Sequence, residues 1–296
     1  VSDEEYFRQR RRGMGGRWSN SMELLKSSWG VLRTHKQLLV FPIISAIATL
    51  LLIAALILPA YYVTGASNGH INNQAWFYVF FFIFYFIGSF IVIFFNTGLI
   101  ACAQECLRGG DPDFSHGWNI AKQNIGKIAG WALINATVGL VLKAIRERAG
   151  IFGAIIAGII DVAWNLITFF VIPVLIFQGF GVIDSIKESA KIFKRTWGEN
   201  MVARFSLGII FFLLGLVGVV PIVLAVLTKS AIVIIVISAV VLMYWTVLGV
   251  ISASLTGILA TALYDYAVTG QVPPAYNPQT IAYAFQPKKG KGRLGR

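Results

Sequence analysis

Six stretches of this chain are longer and more apolar than a soluble core of its size accommodates. They run from about Leu38 to Val63, Ala75 to Ala101, Lys127 to Leu142, Ile151 to Phe180, Val202 to Leu227 and Ala231 to Leu263. Roughly 20 apolar residues in a helix cross a bilayer, whereas a spanning strand needs only about 10. Helices also satisfy their own backbone groups where no water can. Of the 296 residues, 57% are hydrophobic and 13% charged, against about 25% charged in a soluble domain. The chain therefore reads as all-α, a polytopic membrane protein with six transmembrane helices in three hairpins.

Each hairpin is preceded by a polar segment with one shared frame. Ser21–Gly30, Gly117–Gly126 and Ser189–Gly198 each carry an apolar pair, Lys, any residue, a small polar residue, Trp or Ile, and Gly. Such an internal repeat points to a membrane fold built by duplication. Helical spacing gives each segment an apolar face: Met22, Leu25, Trp29 and Leu32; Trp118, Ala121, Ile125 and Ile128; Ile186, Ala190, Phe193 and Trp197. Three amphipathic helices are thus expected to lie in the interface, anchored by Trp29, Trp118 and Trp197 and, in the third, by Lys191, Lys194 and Arg195. Asn20 with Glu23, Ser115, and Ser185 with Glu188 are the expected N-terminal caps. The second copy has Ile125 where the others have Trp, so Trp itself is not required.

Charge sets orientation. If both termini are cytoplasmic, 21 of the 25 Lys and Arg lie inside, and only Lys143, Arg146, Arg148 and Lys229 lie outside. The 143–148 cluster is the discordant piece, either outside or interfacial. The net charge of +12 is read as attraction to anionic headgroups, with a membrane-protein partner open and nucleic acid excluded for lack of any motif. Residues 1–17 form a flexible basic leader, 18–270 the transmembrane domain and 271–296 a basic tail. No signal-peptide pattern precedes the first span. Val1 is what a literally translated alternative start codon gives, which points to the cell membrane of a prokaryote.

Trp29-Gly30-Val31-Leu32-Arg33 with Leu38-Leu39-Val40-Phe41-Pro42, Leu263-Tyr264-x-Tyr266-Ala267 and the closing Ala284-Phe285-x-Pro287-Lys288 resemble a family of prokaryotic multi-pass membrane proteins of unknown function. More distantly, the alternation of amphipathic helix and hairpin resembles the membrane domain attached to some glycerophosphodiester phosphodiesterases. This chain has no room for their catalytic barrel. The resemblance implies an all-helical membrane fold and carries over no active-site residue.

Asp161 is the sharpest candidate for function, because it lies near the middle of the fourth span, where a carboxylate must be neutral, paired or wetted. Asn165 follows one turn on, and Asn96, Asn135 and Gln178 are further polar groups in apolar runs. Together they either line a path for an ion, proton or headgroup, or hold helices together, with Asp161 paired to Lys143 or Arg146. Cys102, Cys106, Asp111, Asp113 and His116 cluster without the closed ligand set a metal wants, and no catalytic motif is found. No cofactor and no enzymatic activity are expected. The leading expectation is a component organising lipid or partner proteins, and the alternative is a transporter, channel or lipid translocator working near Asp161. Orientation is tested by labelling intact cells: Asn68→Cys should react with a membrane-impermeant thiol reagent and Gly290→Cys should not.

Overall fold

A computed structural model describes residues 22–65, 74–148, 150–197, 202–278 and 281. The leader, the 66–73 loop, most of the tail, the Asn20 cap and Gly198 lie outside the described residues, as do the side chains of Arg195 and Trp197. The described chain is all-α. Helix α1 covers residues 22–34. It is followed by α2 (Val40–Gly65), α3 (Gln74–Leu107), α4 (Phe114–Gln123), α5 (Ile125–Arg148) and α6 (Gly150–Ile167). A single turn α7 (Val171–Pro173) leads into a π-helical turn, Val174–Gln178. Helices α8 (Val182–Trp197), α9 (Val202–Val217), α10 (Val219–Leu227) and α11 (Ala231–Thr269) complete the chain. Among the described residues, six segments are long and apolar enough to cross a membrane.

Two compact units divide these elements. One holds Gln37–Glu105 and Asp111–Lys191, and the other holds Cys106–Gly110 with the described parts of Val1–Lys36 and Ile192–Arg296. The first unit is centred on Phe94, Ala121, Ile128, Trp131, Ala132, Val171 and Leu175. At its edge α4 crosses α3 at two glycines. A Cβ on Gly117 would lie 2.5 Å from the Gly98 carbonyl, and one on Gly98 would strike the Phe41 ring. Phe41 in turn stacks on Phe114 at 4.8 Å.

Two spans are broken, each next to a proline. In the fourth, α6 ends at Ile167, and Pro173 lacks the N–H that would reach Phe169. The Ser189 hydroxyl of α8 closes the gap: it accepts from the Phe170 N–H at 3.0 Å and donates to the Ile167 carbonyl. The fifth span, expected as one helix, is two. Pro221 cannot donate to the Val217 carbonyl, and the Gly218 N–H falls back to Gly215. In the second unit α11 donates to carbonyls beside this break: the Tyr244 hydroxyl to Leu214, which the Gly218 N–H has left, at 2.7 Å, and the Trp245 indole to Gly215, which also accepts from Gly218, at 3.0 Å.

Other expectations are corrected. The third span does not stop at Leu142: α5 runs on to Arg148, so Lys143 and Arg146 lie on the helix. Asp113, not Ser115, caps α4, its carboxylate accepting the His116 N–H at 2.9 Å. Helix α8 begins a turn before its expected cap, so Ser185 is inside it, buried with an unpartnered hydroxyl, and Glu188 pairs with Lys191 at 2.9 Å. The expected end of α11 holds, with Gly270 left-handed at φ 72. Its 39 residues would measure about 58 Å, against a hydrocarbon core of about 30 Å. Most residues from Ser254 to Ala267 are buried, whereas most before Val250 are exposed.

The amphipathic helices bury an edge that only partly overlaps the apolar face expected to lie in the interface. In α1 the buried residues are Leu24, Ser28, Val31 and Leu32; in α4 they are Gly117 and Ala121; in α8 they are Ser185, Ser189 and Ile192. The tryptophan edge faces out, with Trp29 47% and Trp118 39% exposed. Close approach explains the choice, since a small residue lets the helix backbone reach its neighbour. Gly117→Ala should therefore cost about 1–3 kcal/mol through overpacking. Gly30→Ala, helical and with nothing within 4 Å, should be neutral or stabilising; thermal unfolding of both variants in detergent checks the pair.

Candidate functional site

The first unit gathers most of the intramembrane polar residues singled out above. Asn135 of α5 donates to the Ser89 hydroxyl of α3 at 3.1 Å and faces the Trp164 indole of α6 at 3.4 Å. Trp164 stacks on Trp131, 5.8 Å between centroids. On the flank of α6, Asp161 accepts from Arg146 at 3.1 Å and from Asn165 at 3.1 Å. The intramembrane carboxylate is thus paired, with the arginine that was one of its two expected partners. Both side chains remain half exposed, 47% for Arg146 and 44% for Asp161. Asn96 lies on α3, and no hydrogen bond joins it to Asp161, Asn165 or Asn135.

The second unit has a polar assembly that the sequence does not announce. The Ser28 hydroxyl donates to the Leu24 carbonyl at 3.0 Å. Its single proton is therefore committed, and the Tyr276 phenol donates to it at 2.7 Å. Asn277 donates to Glu23 at 3.0 Å, and Arg108 pairs with the nearly buried Asp265 at 3.3 Å. The Ser28–Tyr276 and Glu23–Asn277 bonds tie α1 to the segment after α11 across some 250 residues of sequence. A cleft of about 460 Å³ runs along α1 beside them, lined by Glu23, Lys26, Ser27, Thr34 and Cys106 among others. Ser28 and Tyr276 offer no sequence pattern, because a contact this distant leaves no local periodicity.

The other expected anchors divide. Lys191 and Lys194 are exposed on α8, Lys191 in its ion pair with Glu188, and Lys187 pairs with Asp184 at 3.2 Å. Cys102 and Cys106 are buried free thiols, and Cys102 donates to the Asp113 carbonyl at 3.5 Å. Among the described residues no group of three His, Cys, Asp or Glu is placed to hold a metal ion. The polar groups that are placed cross-link helices.

An all-helical chain with six spanning segments and its polar side chains paired between helices is a multi-pass membrane protein. The chain belongs to the family described as "Family of unknown function (DUF6159)", whose model matches residues 75–273. That match takes in Leu263–Ala267; the Trp29–Pro42 signature precedes it. No curated protein and no solved structure matches the chain.

Burial pushes the Tyr276 phenol well above its ordinary value of 10. The raised value means that the unfolded chain loses this proton first. The stability Tyr276 contributes is therefore intact below about pH 10 and falls as pH rises beyond it. Tyr276→Phe should cost about 1 kcal/mol near neutrality through the lost hydrogen bond and should flatten the alkaline decline. Chemical unfolding followed from pH 8 to pH 12 reads both effects.

Proposed function

We propose that this protein is a non-enzymatic membrane component that organises lipid or partner proteins at the inner face of a prokaryotic cell membrane, with both termini on that side. In this reading α1, α4 and α8 are copies of one duplicated unit. Each lies in the interface and introduces a hairpin of the bundle. One observation carries the proposal: Trp29 on α1 and Trp118 on α4 remain 47% and 39% exposed although both helices bury another edge. An indole at headgroup depth is favourable on such an edge. Helix α8 adds exposed lysines, although Lys187 and Lys191 share their charge with Asp184 and Glu188. Attraction to anionic lipid then rests mainly on Lys194 and Arg195.

A second reading, transport near Asp161, draws support from the two broken spans, since discontinuous helices line midplane sites in transporters. The pairing of Asp161 with Arg146 and Asn165 weighs against it, because a relay needs a carboxylate that can change partners. Reconstituted vesicles separate the two. The wild type should enrich anionic over neutral lipid in its shell, measured by lipid co-purification. Lys191→Gln, Lys194→Gln and Arg195→Gln together should reduce that enrichment, as should added salt. Enrichment unchanged by the triple variant would defeat the electrostatic part. A flux of protons, monovalent ions or fluorescent lipid that Asp161→Asn abolishes would establish the transport reading instead.

A further inference from the structure

The Arg146–Asp161 pair lies on an outer flank of the α5–α6 hairpin, half exposed on both sides. Around it the exposed surface of α6 is Phe152, Ile155, Ile156, Ile159 and Val162, the composition of a helix that faces lipid. Asp161 is about ten residues, roughly 15 Å, along the span that begins near Phe152. Charges at that depth are costly against hydrocarbon and are normally turned to protein or water. An ion pair open on this flank therefore needs a cover.

We propose that the flank carrying Arg146, Asp161 and Asn165 is the contact face for a second copy of this chain within the membrane. The patch is its own complement. It holds one cation and one anion, so a two-fold axis beside it sets Arg146 of each copy near Asp161 of the other. Each pair within a chain then becomes part of a four-charge network shut off from lipid. Asn165, exposed and already donating to Asp161, keeps acceptor capacity for the neighbouring chain. The backbone is accessible too. Ala154 is exposed, and nothing lies within 4 Å of where a Cβ on Gly158 would be. Ala154, Gly158, Asp161 and Asn165 follow one another at spacings of four, three and four along one edge of α6. A second α6 can thus approach closely enough for the polar groups to meet. A partner bearing a single charge would leave the opposite member of the pair uncovered, which favours self-association. The inference rests on α6 crossing the bilayer and is independent of the lipid-organising role.

The test uses the full chain in vesicles, with energy transfer between labelled copies followed as the protein-to-lipid ratio falls. Saturable self-association is expected, and Gly158→Cys should cross-link on oxidation to twice the chain mass; the native Cys102 and Cys106 are buried. Arg146→Asp sets like charges together and should weaken association by about tenfold or more. Combining it with Asp161→Arg should restore association. If the charge variants do not fold, Gly158→Leu still decides: it sits at an open helical position, should unfold near the wild-type temperature, and should block the close approach. The proposal is overturned if transfer rises only as random crowding requires, or if Gly158→Leu associates like the wild type. It is equally overturned if the cysteine at 158 cross-links only to other proteins or within its own chain.

Discussion

A helix that breaks inside hydrocarbon releases carbonyls and amides that lipid cannot satisfy, and the packing of this protein follows from where those groups are answered. The fourth span breaks before Pro173, and the Ser189 hydroxyl supplies both a donor and an acceptor to the gap. That single side chain fastens amphipathic helix α8 to the span. At the fifth span, Tyr244 and Trp245 donate to Leu214 and Gly215, fastening α9 to α11. Each break has become a joint.

The same economy governs the side chains. Asn135 links Ser89 to Trp164, and Asp161 links Arg146 to Asn165, so the polar residues of three spans are spent on one another. Hydrogen bonds between membrane helices are each modest, about 0.6 to 2 kcal/mol. Their effect is to fix which faces meet rather than to supply most of the stability. Small residues complete the arrangement, because Gly98 and Gly117 bring α3 and α4 to backbone contact. Trp29 of α1 and the charged flank of α6 stay open.

Much of this was legible from residue order. The six spans were each written in a local signal, the length and apolar composition of the run. The failures share a cause. Ser115 looked like a cap, but the carboxylate of Asp113 two residues earlier was in reach of the free N–H. Ser185 with Glu188 looked like a capping box, but the helix had already begun at Val182. In both cases the helix had begun before the serine that carried the signal.

Sequence by itself determined that this chain is helical and membrane-spanning, because the hydrocarbon admits so few backbone solutions and every residue in a run reports on it. It also determined that Asp161 required a partner, since a carboxylate at that depth cannot stand alone. Only the tertiary structure decided that the partner is Arg146 rather than Lys143, and that Ser189 plugs the broken span. The same holds for Ser28, which receives the phenol of Tyr276 from the far end of the chain. Those choices depend on which helices lie side by side, and a hydrogen bond between distant residues leaves no period, spacing or composition for a reader of the sequence to find.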